Sequence, residues 1–570
     1  MLRERLQREL GGAQVAELHR RASRWFEQAG LPDEAIQHAL TANDFARAAD
    51  LIEHSALLIA LEGRQATAAG WLVALPEYMR HERPRLVLAQ AGIDGLNGDF
   101  AAAATLLQRA EQLVYGPITA ETTATHGEIA AMRTMALSMI GDPRAAMIGR
   151  MALSQLPDRH PLREMTVAGI CYAAFYAGDL ATPSRMLEEA LATREFEQRP
   201  ISIRTGLIAL LAMLRRAQGR VAECREMSEQ ALALASHAGR VLPLSGAFLA
   251  YVLLGLAQCE QNELDAAERT LRQCAELAGQ YQMPMNEILA QFYLGQVLAA
   301  RGDLDGALRL VEQAEAAAQR YLSPRNLREI AGYRVLLWLR QGNLRAAAAW
   351  AASYARETGP DRPRLTAYDY DRFALAQTLI AQGQLEAAHA AVTQLLADAE
   401  ATGHDRFLIW ALVLHALILE TQGDRTTALS RLQRALALAA PHGYMRIFLN
   451  HGEQIATLLR AAHARGIARA YTEQLLSAFG ELRIENEALK KGNATSHSQF
   501  SILNSQFESL STREREVLRL LANGMDNSQI AHRLAVALST VKAHTNHIFG
   551  KLGVHNRLEA VLRTQELGLL

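Results

Sequence analysis

The chain has 570 residues, half of them hydrophobic, and its 59 Lys and Arg residues nearly balance its 60 Asp and Glu residues. This length is sufficient for several domains with buried cores. A net charge of −1 excludes a chain that is basic throughout, but it allows one local basic face. No apolar run is long enough to span a bilayer, and the charged start MLRERLQREL differs from a signal peptide, so we expect a cytoplasmic protein.

A repeat dominates the first three quarters of the chain. A Gly or Asn turn followed by an Ala-rich helix recurs at spacings of 37 to 43 residues. We expect each turn Gly to end a helix in a left-handed cap, and the Asp or Asn that follows it to begin the next helix. The turn residues are Gly98, Gly141, Gly178, Gly219, Asn262, Gly302, Gly342, Gly383 and Gly423, with Asn43 as an earlier copy.

Small side chains occur at a constant place in this repeat. A small residue five positions after the turn lets two helices approach closely, as a solenoid of helical hairpins requires. Pro183 and Cys224 are the exceptions to an otherwise constant alanine. The alanines are Ala103, Ala146, Ala267, Ala307, Ala347, Ala388 and Ala428.

These patterns predict an all-α fold with four segments. Residues 1–439 are predicted to form a tetratricopeptide-like superhelix of helical hairpins that acts as a sensor or interaction domain. Residues 440–485 lack the repeat turn and are predicted to be a helical cap, and residues 486–508 a flexible linker. Residues 509–570 are predicted to form a four-helix domain that contains a helix-turn-helix.

The helix-turn-helix prediction depends on where apolar residues fall. Ser511 and Glu514 form a capping box. The inward residues are then predicted from helical phase in three successive helices. They are Val517, Leu518 and Leu521 in the first helix, Ile530, Ala531 and Leu534 in the second, and Val541, Thr545, Ile548 and Leu552 in the third.

The outward face of the third helix is small, polar and basic. Short side chains allow the helix backbone to enter the DNA major groove. Lys542 can reach a guanine edge or a phosphate, and Asn546 can pair with an adenine edge. Thr540, at the start of the helix, is placed to bind a phosphate oxygen. From Leu510 onward, eight cationic and five anionic residues give this segment a charge of +3.

Thr512–Val561 closely resembles the DNA-binding domain of LuxR-type transcription regulators in the motifs REREVL, TVKAH and KLGVHNRLEA. The resemblance implies that the helix at about 538–550 enters the major groove and that the helix from Arg557 mediates dimerisation. It also implies base contacts from Lys542, Ala543 and Asn546, and phosphate contacts from Thr540 and Lys551. Ala537 and Asn546 depart from the family, which often has a capping Ser and a Lys at these positions.

The remainder of the chain resembles large MalT-like LuxR regulators. The similar segments are ELHRRASRWFEQAGLPDEAIQHAL and APHGYMRIFLNHGE. Such proteins join a nucleotide-binding ATPase to a tetratricopeptide-like sensor and this DNA-binding domain. Sixteen residues precede the first segment and no GxxxxGK[ST] loop occurs, so we expect a chain without the ATPase: a natural short form, a separately encoded half or a fragment.

The sequence therefore predicts a sequence-specific transcription activator whose solenoid receives a small-molecule or protein signal. Expected partners are double-stranded DNA, a second copy of the chain on DNA and, by resemblance, RNA polymerase. No catalytic site, cofactor or metal is predicted, because His544 and His547 lack a third ligand and Asp369 and Asp371 are interpreted as solvated turn residues. The alternative is a protein-interaction scaffold with a non-functional terminal domain.

The four cysteines are a separate prediction. No two have CxxC spacing, and each falls within an apolar helical pattern, so we expect buried structural thiols in a reducing compartment. They are Cys171, Cys224, Cys259 and Cys274.

Overall fold

The protein divides into two compact units, Met1–Leu482 and Arg483–Leu570. The computed structural model describes residues 2–61, 64–97, 99–115, 117, 119–158, 160–237, 240–241, 245–281, 283–321, 324–357, 370–492, 517, 520–521, 525, 527–534, 540–541 and 545.

The described chain is almost entirely α-helical, as predicted. One short antiparallel pair, β1 (Ser236–His237) with β2 (Arg240–Val241), and two 3-10 helices, Arg194–Gln198 and Ala440–His442, are the exceptions among the described residues. The helices are α1 Leu2–Gln28, α2 Pro32–Thr41, α3 Phe45–Leu61, α4 Gln65–Ala74, α5 Glu77–Glu82, α6 Pro84–Leu96, α7 Phe100–Leu113, α8 Ala120–Met139, α9 Ala145–Gln155, α10 Leu162–Tyr176, α11 Ala181–Leu191, α12 Ile201–Ala217, α13 Val221–Ala235, α14 Ser245–Glu260, α15 Leu264–Gln280, α16 Pro284–Ala300, α17 Leu304–Tyr321, α18 Pro324–Arg340, α19 Leu344–Glu357, α20 Tyr370–Ala381, α21 Leu385–Thr402, α22 Asp405–Thr421, α23 Arg425–Ala439, α24 Arg446–Leu449, α25 Gly452–Ala464, α26 Arg469–Gly492 and α27 Asn527–Leu534.

The repeat turns have the backbone conformation that the sequence predicted. Every turn residue of the repeat that is described has a positive φ, from 54° at Asn43 to 91° at Gly302. Gly98 lies outside the described residues. After six of the turns, the side-chain oxygen of an Asp or Asn accepts a backbone N–H three residues further on, at 2.8–3.3 Å. This cap begins the second helix of the hairpin by satisfying a donor that the first helical turn leaves free.

The small residue five positions after the turn lies between packed helices. It is at most 3% exposed at six of the seven alanines, and Pro183 and Cys224 are buried as well. The close approach is visible at Gly295, where an added Cβ would lie 3.3 Å from the carbonyl oxygen of Ala307.

The prediction was wrong for Ala146. This residue is half-buried, whereas its neighbour Ala145 is fully buried. The reason is that α9 begins four residues after the turn glycine, whereas α17 and α19 begin two residues after theirs. The later start changes which alanine faces the neighbouring helix.

The superhelix returns to contact itself. Helix α12 packs on α22, and α14 packs on α24. The backbone N–H of Met445 donates to the carbonyl of Glu260 at 2.8 Å, and Gln261 Nε2 donates to the carbonyl of His442 at 3.2 Å. The segment from residue 440 therefore packs against a hairpin from the middle of the chain as well as against the last hairpin.

Two further interpretations need correction. Asp371 is 6% exposed, in the first turn of α20, because α18 and α20 pack so closely that a Cβ on Gly332 would lie 2.6 Å from the Asp371 amide. Asp369 lies outside the described residues. Helix α26 continues to Gly492, inside the range predicted as a linker.

The cysteines are buried, as predicted, and burial raises the pKa of each thiol to about 12. Within the described part of the chain, no helix combines the length and apolar character needed to cross a bilayer.

Candidate functional site

Among the described residues of the C-terminal unit, five buried side chains form one hydrophobic cluster. Leu520, Met525 and Leu534 pack against this core and are partly buried. The core side chains come from the three segments predicted as successive helices, and all five were predicted to face inward. They are Val517, Leu521, Ile530, Ala531 and Val541. The predicted packing is thus confirmed where it is described, and Leu518, Ile548 and Leu552 lie outside the described residues.

The helix predicted to enter DNA is described at three positions. Val541 and Thr545 are 0% and 7% exposed, whereas Thr540 is exposed. The Thr545 hydroxyl donates to the Val541 carbonyl at 2.8 Å, so a polar side chain on the inward face needs no partner in the core. The other predicted DNA-contacting residues, Lys542, Ala543, Asn546 and Lys551, lie outside the described residues, as do His544 and His547.

A second candidate site lies within the superhelix. A cavity of about 100 Å³ is lined by five helices, α14, α16, α18, α20 and α22, each the first helix of its hairpin, and by the segment that begins with α24. Three arginines, Arg340, Arg406 and Arg446, line it together with Glu260, and we call it the arginine pocket. Its aromatic wall consists of Tyr333, Tyr370 and Trp410.

Two protein-family models match the chain. Residues 127–465 match the MalT-like TPR region, and residues 508–564 match the bacterial regulatory proteins of the luxR family. The first match alone covers more than half of the chain. The chain belongs to the MalT-like regulators. Its second matched segment belongs to the luxR family of bacterial regulatory proteins, in agreement with the motifs in its sequence.

A curated relative is similar over nearly the whole chain. The HTH-type transcriptional regulator MalT of Serratia proteamaculans (strain 568) is 27% identical over 586 residues, which cover 99% of this chain and 63% of the relative. The MalT-like regulator described here therefore spans less than two thirds of the length of that relative.

Solved structures similar to the MalT-like regulator share little sequence with it. A Rap protein complexed with competence and sporulation factor is 13% identical and covers 70% of this chain and 99% of its own, with a TM-score of 0.38. The Cut9-Hcn1 hetero-tetramer of APC/C is 12% identical and covers 81% and 96%, with a TM-score of 0.38. The human IFIT1 dimer with PPP-AAAA is 15% identical and covers 76% and 92%, with a TM-score of 0.36.

Arg406 is a buried charge in the lining of the arginine pocket of this MalT-like regulator. Its Nη2 donates to Glu260 Oε1 at 3.1 Å and to the Tyr370 hydroxyl at 2.6 Å. Its guanidinium carbon also lies 5.4 Å from the ring centroids of Tyr370 and Phe407. The Nε and Nη1 donors of Arg406 have no hydrogen-bond partner. The residue is 5% exposed, so these two donors are also largely withdrawn from solvent.

Arg446 and Arg340 bring further positive charge to the pocket. Arg446 Nη1 donates to Asn262 Oδ1 at 3.1 Å and Nη2 donates to the Ala300 carbonyl, but its Nε has no partner. Arg340 is solvent-exposed and donates from Nη2 to the Ala299 carbonyl at 2.8 Å. Three arginines and one glutamate leave the charged lining at +2.

The histidine of the lining adds no charge at neutral pH. Burial, reinforced by the nearby Arg340 guanidinium, lowers the pKa of His451 to about 4. The imidazole is therefore neutral at pH 7, and the positive charge of the pocket comes from its arginines.

Sequence reasoning did not identify this pocket, although two signals were present. Arg406 directly precedes the apolar run FLIWALVLHALIL, where the solenoid core needs no charge. Glu260, Ala300 and Arg340 are 40 residues apart, one repeat period, so they occupy equivalent positions on successive first helices. Neither signal shows that Arg446 reaches the same cavity, because α24 lies outside the repeat.

Proposed function

We propose that this protein is a sequence-specific transcription activator that reads DNA with the helix at about 538–550. Lys542, Ala543 and Asn546 contact bases, and Thr540 and Lys551 contact phosphates. The observation that supports this assignment is the phase of the helix: Val541 and Thr545 are buried while Thr540 is exposed. By helical phase, we expect the small and basic face to lie away from the core of the unit.

We further propose that two copies of the chain bind DNA together. One helix-turn-helix module buries a limited surface on DNA, and a dimer doubles the contacts and fixes the spacing of two half-sites. The helix from Arg557 supplies the dimer contact, and the bound dimer engages RNA polymerase. The TPR region receives the signal, as a small molecule within the superhelix or as a protein laid along it.

The test is genome-wide DNA occupancy of the full-length protein and of the Lys542→Ala/Asn546→Ala double variant. The matched control is Arg425→Gln, which removes an exposed positive charge from α23 in the other unit. We expect discrete peaks for the wild type and the control, and loss of those peaks in the double variant. A folded, abundant wild-type protein without peaks would replace this proposal with the scaffold alternative.

A further inference from the structure

The unpartnered polar atoms of the arginine pocket are all of one kind. Among the described lining residues, the buried side-chain atoms without a partner are Nε and Nη1 of Arg406, Nε of Arg446 and Nε2 of Gln296. Every one of them is a hydrogen-bond donor. Buried donors without acceptors destabilise a fold, and a bound group that supplies acceptors would satisfy the donors around this cavity.

The charge of the pocket also favours an anion. Glu260 is its one acidic side chain, and it already accepts a hydrogen bond from Arg406. The net charge of +2 is therefore not neutralised by the residues that line the cavity. A guanidinium presents a planar fork of donors that matches the oxygens of a carboxylate or a phosphate.

The rest of the wall is suited to a small carbon skeleton. Tyr333, Tyr370 and Trp410 form the aromatic side of the pocket, and Leu256, Leu336 and Ile447 line it with aliphatic groups. The volume of about 100 Å³ is below the ~150 Å³ of a cavity that holds one benzene molecule. The cavity itself therefore accommodates a compact group.

From these three features we propose that the arginine pocket binds a small organic anion. The oxygens of its carboxylate or phosphate accept from Arg406, Arg446 and Arg340, and its carbon skeleton packs against Tyr333, Tyr370 and Trp410. This inference rests on the proposed function in one respect: the bound anion is the signal that the TPR region receives.

The location of the pocket explains how an anion would act as a signal. Glu260, Arg340 and Arg406 belong to three hairpins of the superhelix, whereas Arg446 belongs to α24, which precedes α25 and α26. A ligand held by Arg406 and Arg446 together binds the conformation in which α24 packs against the hairpins. Its binding free energy therefore stabilises that conformation relative to any in which α24 has moved away.

The experiment is titration calorimetry on the full-length chain without DNA, with three probes of similar size. Isobutyrate tests a carboxylate, methyl phosphate tests a phosphate, and isobutyramide is the neutral isostere of isobutyrate. The variants are Arg340→Gln, which removes a charge from an exposed position, and Arg406→Lys, which keeps the charge but loses the fork of donors. Arg425→Gln is the control, because it removes an exposed charge that does not line the pocket.

We expect saturable binding of at least one anion and none of isobutyramide. Binding should weaken about tenfold or more in Arg340→Gln and Arg406→Lys, and stay unchanged in Arg425→Gln. The anion that binds more tightly identifies the ligand class. Because Arg340 is exposed, Arg340→Gln provides the test even if Arg406→Lys does not fold.

Three outcomes would overturn the inference: no binding of either anion, equal binding of isobutyramide, or unchanged binding in a folded Arg340→Gln variant. Because no DNA is present, the result is independent of the proposed function. Anion binding without DNA occupancy would reject only the proposal that the protein is a DNA-binding regulator. DNA occupancy without anion binding would reject only the proposal that the arginine pocket binds an anion.

Discussion

Arg446 Nη1 donates a hydrogen bond to Asn262 Oδ1 across 3.1 Å, although the two residues are 184 positions apart in the chain. Asn262 occupies a repeat turn with a φ of 66°, a conformation that favours glycine. A turn residue of the repeat thus uses its side chain to hold α24, which lies outside the repeat. Asn262 therefore has a function that glycine at the same turn position does not provide.

We predict that Asn262→Gly lowers the local stability of α24. The substitution relieves the backbone strain of a positive φ, but it removes the hydrogen bond from the Arg446 guanidinium. A charge-assisted hydrogen bond of this kind contributes about 2 kcal/mol to local stability. Since a chain of this length does not unfold in two states, the measurement is amide hydrogen exchange at α24. Asn43→Gly is the matched control, because Asn43 has a φ of 54° and no hydrogen bond from its side chain in the described structure. Equal exchange at α24 in both variants would contradict the prediction.

Ala307 and Ala146 occupy the same position in the repeat, but a larger side chain should destabilise the protein more at Ala307 than at Ala146. Ala307 is fully buried between α16 and α17, so Ala307→Leu overpacks the contact and should destabilise this hairpin by about 1–3 kcal/mol. Ala146→Leu should have a much smaller effect, because Ala146 is half-buried. Hydrogen exchange of each hairpin measures both effects. Similar losses at the two sites would mean that repeat position, and not local burial, determines the cost.

Glu329 should make stability depend on pH. It is 1% exposed and accepts from the Tyr293 hydroxyl at 3.0 Å, and burial raises its pKa to about 7. Its ordinary pKa is 4.5, so between pH 4.5 and 7 the folded state holds a proton that the unfolded state has lost. The contribution to stability is full below pH 4.5 and is lost as pH rises through 7, up to about 3 kcal/mol.

The Glu329→Gln variant tests this, because the amide stays neutral at every pH. We expect the variant to gain local stability relative to the wild type between pH 5 and pH 8, as measured by the difference in amide hydrogen exchange at α18, the helix that carries Glu329. A difference that stays constant over this range would show that Glu329 does not titrate there.

Substitutions of Lys542 and Lys551 should differ in their effects on DNA binding. Lys542→Ala should weaken binding to the cognate site by about 1–3 kcal/mol and relax its sequence preference, because a base contact discriminates. Lys551→Ala should weaken binding to all sequences alike and reduce the salt slope by about 1, because a phosphate contact does not. Fluorescence anisotropy with cognate and scrambled duplexes at several salt concentrations measures both. Unchanged site discrimination in Lys542→Ala would refute the base contact.

The sequence by itself determined the elements that depend on local physics. A turn with a positive φ recurs at a nearly constant spacing, and most hairpins add an Asp or Asn cap and a buried alanine. The superhelix could therefore be predicted from these local features. Helical phase likewise placed Val541 and Thr545 inside the C-terminal core, because the positions that share a face follow from 3.6 residues per turn. The same argument failed at Ala146, where a later helix start changed the register.

Only the tertiary structure decided which distant residues share the arginine pocket. Arg406 meets Glu260 across 146 positions, and Arg446 meets the carbonyl of Ala300 across the same separation. These contacts depend on the rotation and rise that relate each hairpin to the next. The small packing angles of several hairpins add up, and no local pattern encodes their sum. For the same reason, the burial of Asp371 followed from the close packing of α18 on α20 and not from its own segment.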